Sequence, residues 1–209
     1  LLIGWLVVPA ITWKISVPYK GKTVVLSDEQ KKFLHRLSRK TWAFFETFVV
    51  AGDNWLPPDN YQESPVERIA HRTSPTNIGL SLLSNLTAWD FGYIPAEILL
   101  ERTSNTLNTL QRMERYSGHL FNWYDTMSLE PLSPRYISTV DSGNLAGHLL
   151  TLKQGLFALG ECPVVNGRIF KGLKDTLSVL QEKTEDDSVF QTFSAELASA
   201  TSREWPDIL

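Results

Sequence analysis

Cysteine is almost missing from this chain: Cys162 is the only one in 209 residues. One thiol excludes a disulfide within the chain and leaves no basis for a thiolate metal site. Histidine is also scarce, and His35, His71, His119 and His148 show neither HxxxH nor HExxH spacing, so no metal is expected. Charge of one sign is lacking as well. The net charge is −3 and no stretch is basic enough to follow a phosphate backbone, which argues against nucleic acid as a partner. No run reaches the ~20 apolar residues that a full membrane span needs. Whatever chemistry the chain performs must rest on carboxylates, amides and aromatic rings.

What is present is ordinary globular material, 43% hydrophobic and 21% charged, enough for one domain or part of one. Residues Leu1–Trp13, LLIGWLVVPAITW, carry no charge. Trp5 and Trp13 suit an interfacial belt, and Lys14, Lys20 and Lys22 follow directly. This pattern predicts the stub of a transmembrane helix over residues 1–18, a linker over 19–26, and the remaining chain on the cytoplasmic side. The competing reading is a buried strand or core helix. Helical pattern also runs to Glu204 with no stop signal beyond Pro206, so truncation is expected at both ends.

Ser27 with Gln30 three residues on forms a capping box. It predicts a helix with Phe33, Leu34, Leu37, Phe44, Phe45 and Phe48 on its apolar face, ending near Ala51–Gly52. Ser74-Pro75 starts a second helix, apolar on more than one side and therefore of inner type, ending at Gly92. Pro95 opens a third, of outer type, with Ile98, Leu99, Leu107, Leu110 and Met113 inside and Glu101, Arg102, Gln111 and Arg112 outside. Further helices are expected over 142–159, 165–183 and 188–202. Glycine and alanine in the first turns of the helix at 142 predict close approach of a backbone or ligand there. Between the helices lie two long segments without helical period, 53–73 and 116–139; the second holds a short β-hairpin pairing 119–124 with 135–138. Both precede inner-type helices. The fold class is therefore all-α, a partial (α/α)6-toroid with the loops before the inner helices gathered on one face.

The first loop places Asp53, Asp59 and Glu63, the amides Asn54, Asn60 and Gln62, and the aromatics Trp55 and Tyr61 within eleven residues. His71, Arg72 and Asn77 follow around a helix N-terminus, which favours negatively polarised oxygens. The second loop supplies Trp123, Tyr124 and Asp125, with Asp141 expected before or at an N-cap and Asn144 just beyond. Bidentate polar groups beside flat apolar rings match a hydroxyl-rich ligand such as a carbohydrate. The competing reading is a structural loop whose polar side chains satisfy its own backbone. Trp55, Trp123 and Trp205 are the tryptophans in or beside loops, and Glu67, Asp90 and Glu130 are expected at the surface.

The runs DNWLPPDNYQE, RIAHRTSPTNIGL, HLFNWYDT and PRYISTVDSGNLAGHLL resemble the bacterial cyclic β-1,2-glucan synthases, strongly from Asn54 to Leu156 and weakly on the flanks. The resemblance implies a very large inner-membrane protein. It would carry an N-terminal glycosyltransferase using UDP-glucose, a middle α/α-barrel of glucoamylase type that cyclises linear β-1,2-glucan with retention, and a C-terminal phosphorylase-like part. It places residues 27–209 in the first half of the middle domain, with the reacting carboxylates in the absent half and no cofactor for this part. The expected partners are a β-1,2-glucan chain, the remaining domains and, at the N-terminus, a membrane. A non-catalytic carbohydrate-binding module and a helical interaction protein are the alternatives that the residues alone leave open.

Overall fold

The computed structural model describes residues 2–17, 25–163, 167–182 and 188–202, and the chain divides into two units at residues 32 and 33. Lys20, Lys22, Glu204, Trp205 and Pro206 lie outside the described residues. In the first unit, α1 (Leu2–Ser16) confirms the expected helix. At 1.5 Å per residue it rises only about 22 Å. Among the described residues no helix is long and apolar enough to cross a membrane, so the membrane stub is left without structural support. The reading as a core element fares no better, because Trp5, Leu6 and Trp13 are exposed. The capping box forms as expected: Ser27 N–H donates to Gln30 Oε1 (2.9 Å) and Gln30 N–H to Ser27 Oγ (3.2 Å), opening α2 (Asp28–Phe48).

The second unit is built from the rest of α2, then α3 (Pro75–Asp90), α4 (Ala96–Arg112), α5 (Thr139–Gly160), α6 (Arg168–Gln181) and α7 (Ser188–Ser202). Within α2 the buried residue is Trp42, while Phe33, Leu34 and Leu37 of the expected apolar face are exposed. α3 begins as its sequence dictates, with Ser74 Oγ accepting from Asn77 N–H and Pro75 in the first turn. It packs against both α4 and α5, and α6 packs against α7. The main core gathers Leu56, Ile78, Leu82, Leu110, Met113, Leu120, Tyr124 and Leu152 from these helices and both loops. A second cluster joins Trp42, Ala88, Ile94 and Leu99. A polar seam ties α2 to α6, where His35 meets Asp175 at 2.9 Å and Arg39 Nε donates to Thr176 Oγ1 at 2.9 Å.

No backbone packs closely on Gly143 or Gly147 of α5, where an added Cβ meets nothing within 4 Å; the tight helix contacts are at Gly79 of α3, where a Cβ would lie 2.2 Å from His148 Nδ1, and at Gly155 of α5, 2.2 Å from Leu86 Cδ2. One expectation about helix faces is corrected. Arg102 does not face outward: it is 8% exposed, on the buried side of α4 with Thr103, Thr106 and Thr109. Its Nη2 donates to the carbonyls of Phe45 (2.8 Å) and Val49 (3.2 Å) at the C-terminal end of α2, and its Nε to Asn85 Oδ1 (3.2 Å). The rings of Trp42 and Trp55 lie 5.2 and 5.8 Å from the guanidinium. A cation here complements the negative end of the α2 dipole, adds a second donor to Phe45 O, which already accepts from Val49 N–H at 3.1 Å, and supplies a donor to the Val49 carbonyl beyond the helix end.

The non-helical segments hold three two-stranded ladders. β1 (Tyr61–Gln62) pairs with β2 (Arg68–Ile69), β4 (Arg115–Tyr116) with β5 (His119–Leu120), and β3 (Arg72–Thr73) with β6 (Tyr124–Asp125), all antiparallel. The expected pairing of 119–124 with 135–138 forms no ladder and survives as one backbone hydrogen bond, from Asn122 N–H to Tyr136 O at 2.8 Å. His119 turns back on Tyr116, and Tyr124 and Asp125 cross to the other loop. The loop-to-loop ladder satisfies buried backbone that a local hairpin would have left open, since Thr73 and Tyr124 are both fully buried.

Replacing Arg102 with methionine should strand the Val49 carbonyl in the interior, remove one of the two donors to Phe45 O and lower stability by about 3 kcal/mol. Urea denaturation of the chain checks this, and a change within ~0.5 kcal/mol would show the guanidinium to be dispensable.

Candidate functional site

The first loop leaves α2 through a 3-10 turn, Ala51–Asp53, and then passes two successive residues in the left-handed region, Asn54 at φ 51° and Trp55 at φ 59°. Threonines of α4 hold this corner: Thr109 Oγ1 donates to Asn54 O (2.7 Å) and Thr106 Oγ1 to Trp55 O (2.9 Å). The Asn54 amide nitrogen donates to Thr126 O and Met127 O, both at 2.9 Å, and its oxygen accepts from Arg112. Asn54 thus sews the first loop to the second. Buried Asp53 does the same. Its Oδ1 accepts from Thr126 Oγ1 and faces His71 Nδ1 at 2.7 Å, while Thr126 N–H donates to His71 O at 3.1 Å.

Beyond this seam the β3–β6 ladder sets Arg72 beside Asp59 and Trp123. The guanidinium donates to Asp59 Oδ2 from Nε (3.1 Å) and Nη2 (2.8 Å), and its carbon lies 5.0 Å from the centre of the Trp123 ring system. Asp59 also accepts from Asn60 Nδ2 (3.2 Å) and, at Oδ1, from Asn77 Nδ2 (3.4 Å). A second cluster joins the N-terminal turns of α3 and α5. Thr76 Oγ1 donates to Asp141 Oδ1 (2.6 Å) and accepts from Asn144 Nδ2 (3.1 Å). Asn122, 6% exposed, completes it: its amide nitrogen faces Asp141 Oδ2 (2.8 Å), and its oxygen accepts from Trp123 Nε1 and Tyr136 Oη, both at 2.7 Å. These residues form an open polar shelf with one aromatic plate. Two concavities are lined mainly by apolar side chains: one of about 260 Å³ between α2 and α3, and one of about 180 Å³ where His119 and Leu120 of the second loop face Leu145 and Ala146 of α5.

The carboxylates of the shelf are all engaged. Asp53, Asp59 and Asp141 accept the hydrogen bonds given above. Asp125 Oδ1 accepts from the N–H groups of Met127 (2.9 Å) and Ser128 (2.8 Å). The Ser128 N–H above all, with that of Met127, the Ser128 hydroxyl and nearby His71, holds the Asp125 carboxyl below its ordinary range against the opposing effect of burial.

The structure sorts the residues singled out from the sequence. Asp59, Asn60, Arg72, Asn77, Trp123, Asp141 and Asn144 come together on or beside the shelf, and His71 adjoins it through Asp53. Gln62 and Glu63 are exposed at the β1–β2 hairpin, where Gln62 Nε2 donates to Val66 O at 3.3 Å. Asn54 and Trp55 are turned to internal work, one on carbonyls and one against Arg102. Tyr124 is fully buried. Its hydroxyl donates to Glu114 O and accepts from Phe121 N–H, both at 2.7 Å, so it supports the loop from beneath and leaves no ring face open. Asp141 is not the cap of α5. Ser138 is, accepting from Asp141 N–H at 3.1 Å, which frees the Asp141 carboxylate for Thr76 and Asn122. Glu67, Asp90 and Glu130 are exposed, as expected. Missed from the sequence were Thr76, Asn122, Thr126 and Tyr136, whose roles depend on partners remote in the chain.

The depressed Asp125 carboxyl has a consequence for acid stability. Its contribution is present above the unfolded-state pKa and is lost as pH falls through the lower folded-state value. The stability gap between the chain and its Asp125→Ala variant should be constant above about pH 5 and shrink below about pH 4. Denaturation at a series of pH values reads this directly, and a gap that does not change down to about pH 2 would contradict it.

Against known proteins, no protein-family model matches the chain. In solved structures, a glucoamylase-like protein of Bacteroides fragilis aligns at 17% identity and TM-score 0.48, covering 62% of this chain and 32% of the other. One of Bacteroides caccae aligns at 22% identity and TM-score 0.49, covering 59% and 31%. In sequence, the chain is 45% identical over 181 residues to the cyclic β-(1,2)-glucan synthase NdvB of Rhizobium meliloti (strain 1021), a match that covers 85% of this chain and 6% of that protein. The chain is thus similar, over most of its length, to a short segment of a cyclic β-(1,2)-glucan synthase, the resemblance its loop motifs carry.

Proposed function

We propose that this chain forms one wall of a glucan-binding cleft in a larger enzyme that acts on β-1,2-glucan, and that the helices form part of an α/α-toroid. The observation that carries the reading is the shelf itself. Arg72, Asp59, Asn60, Asn77 and Asn144 present donors and acceptors around the Trp123 plate, in a chain that is 45% identical over 181 residues to a segment of a glucan synthase. A neutral, hydroxyl-rich chain suits such a surface: amides and charged groups reach its hydroxyls, and the indole face covers its C–H-rich ring surface. The proposed setting is that of the resembled family, a bacterial inner-membrane synthase with this domain on the cytoplasmic side. UDP-glucose there serves a separate transferase part, and the other domains of the same polypeptide are the remaining partners.

Glycoside chemistry by two carboxylates needs an acid whose pKa is raised and a second carboxylate across the scissile bond. Each aspartate of the shelf is committed to internal hydrogen bonds, and the hydrogen bonds to Asp125 hold its carboxyl below the ordinary range. This supports a binding role, with the reacting pair contributed from elsewhere in the polypeptide.

In the intact polypeptide, Trp123→Ala should lower cyclisation of linear β-1,2-glucan roughly tenfold through the lost stacking face. Asp59→Asn should act in the same direction by releasing Arg72. Product analysis after incubation with linear glucan reads both, and unchanged yields from both variants would defeat the reading. The 209-residue chain alone should form no cyclic glucan.

A further inference from the structure

Trp123 is held in place by three contacts. Its carbonyl accepts from Leu132 N–H at 2.9 Å, Arg72 lies over its ring, and its indole N–H donates to Asn122. The third is the one that fixes how the plate is turned. An indole nitrogen only donates and an ionised carboxylate only accepts. Asn122 stands between one of each, with Trp123 Nε1 2.7 Å from its oxygen and Asp141 Oδ2 2.8 Å from its nitrogen. That pairing dictates the amide's orientation; the Tyr136 hydroxyl, able to donate or accept, fits it by donating to the same oxygen. The Asn122 side chain is nearly out of solvent, so these bonds face little competition from water. Through Asp141 and Thr76 the plate is referenced to the first turns of two helices, α5 and α3, instead of to its own loop.

We propose that Asn122 is a positioning residue for glucan binding: by occupying the indole N–H it locks Trp123 as a stacking plate that makes no hydrogen bond to the ligand. The plate then reads the C–H face of a sugar ring and not its hydroxyls, so discrimination among hydroxyls at this subsite falls to Asp59, Arg72 and Asn77. This inference rests on the glucan-cleft reading above.

The test compares three variants in the intact polypeptide, reading KM and kcat with linear β-1,2-glucan over a range of pH. Asn122→Leu keeps the size and removes every side-chain hydrogen bond. Asn122→Asp keeps the acceptors for Trp123 and Tyr136 but sets a carboxylate against Asp141, and such a pair regains a donor only when it takes up one shared proton. The expected result is a KM about tenfold higher for Asn122→Leu, with kcat within about twofold of the parent. Asn122→Asp should match the leucine variant at about pH 8 and approach the parent at about pH 5, where the pair holds its proton. A merely structural asparagine would instead lower the amount of folded enzyme, and with it the apparent kcat, and leave KM unchanged. The inference is overturned if Trp123→Ala raises KM while both Asn122 variants behave as the parent, or if the aspartate variant is as impaired at about pH 5 as the leucine variant. A Trp123→Ala enzyme with unchanged KM would instead defeat the glucan-cleft reading, and this proposal with it.

Discussion

The site depends on a cation in the interior of α4. Burial lowers the Arg102 pKa, so the protein bears a real cost in keeping this group charged and dry. The return is geometric. One planar guanidinium reaches two carbonyls at the end of α2, an amide on α3 and the faces of two tryptophans. Lysine has neither the fork nor the flat face to do this. The end of α2 is where the first loop departs, so the guanidinium also sets the direction in which that loop leaves the helix.

From that origin the two loops are joined by several unlike devices. Asp53 and Asn54 reach across to Thr126 and Met127, and the β3–β6 ladder pairs Arg72 with Asp125 and Thr73 with Tyr124. The Asp141–Thr76 bond then ties the helices that follow each loop. Residues more than 50 positions apart in the chain therefore behave as one surface. Polar side chains that composition marks as ligand-facing are divided between this internal stitching and the open shelf.

What was legible in the sequence was local. The caps at Ser27 and Ser74, the helix at 188–202 and the loop character of both long segments follow from contacts within a few residues. What was not legible depends on long-range partners. Arg102 reads as solvent-facing because a charge usually is; the clue was its company, threonines at one, four and seven residues beyond, a semi-polar stripe awaiting polar partners. Tyr124 and Trp55 look like ligand aromatics until their neighbours are known. Asp141 reads as a cap because an aspartate near a helix start commonly is one, yet Ser138 three residues earlier takes that role. The ladder was misplaced for a related reason, since the strand partners of Tyr124 and Asp125, Thr73 and Arg72, lie 51 and 53 residues away.

The corner at Asn54 and Trp55 carries a consequence for how this segment varies. Two adjacent non-glycine residues in the left-handed region are each disfavoured by their own backbone. Glycine would relax the Asn54 backbone but delete the amide that reaches Thr126, Met127 and Arg112. Aspartate tolerates the conformation but brings acceptors where two carbonyls need a donor. Asparagine alone combines tolerance of the left-handed region with a side chain that both donates and accepts. Sequence drift at this position is therefore closed off from two directions at once, and changes in the second loop at residues 126 and 127 have to keep their carbonyls where that one amide finds them.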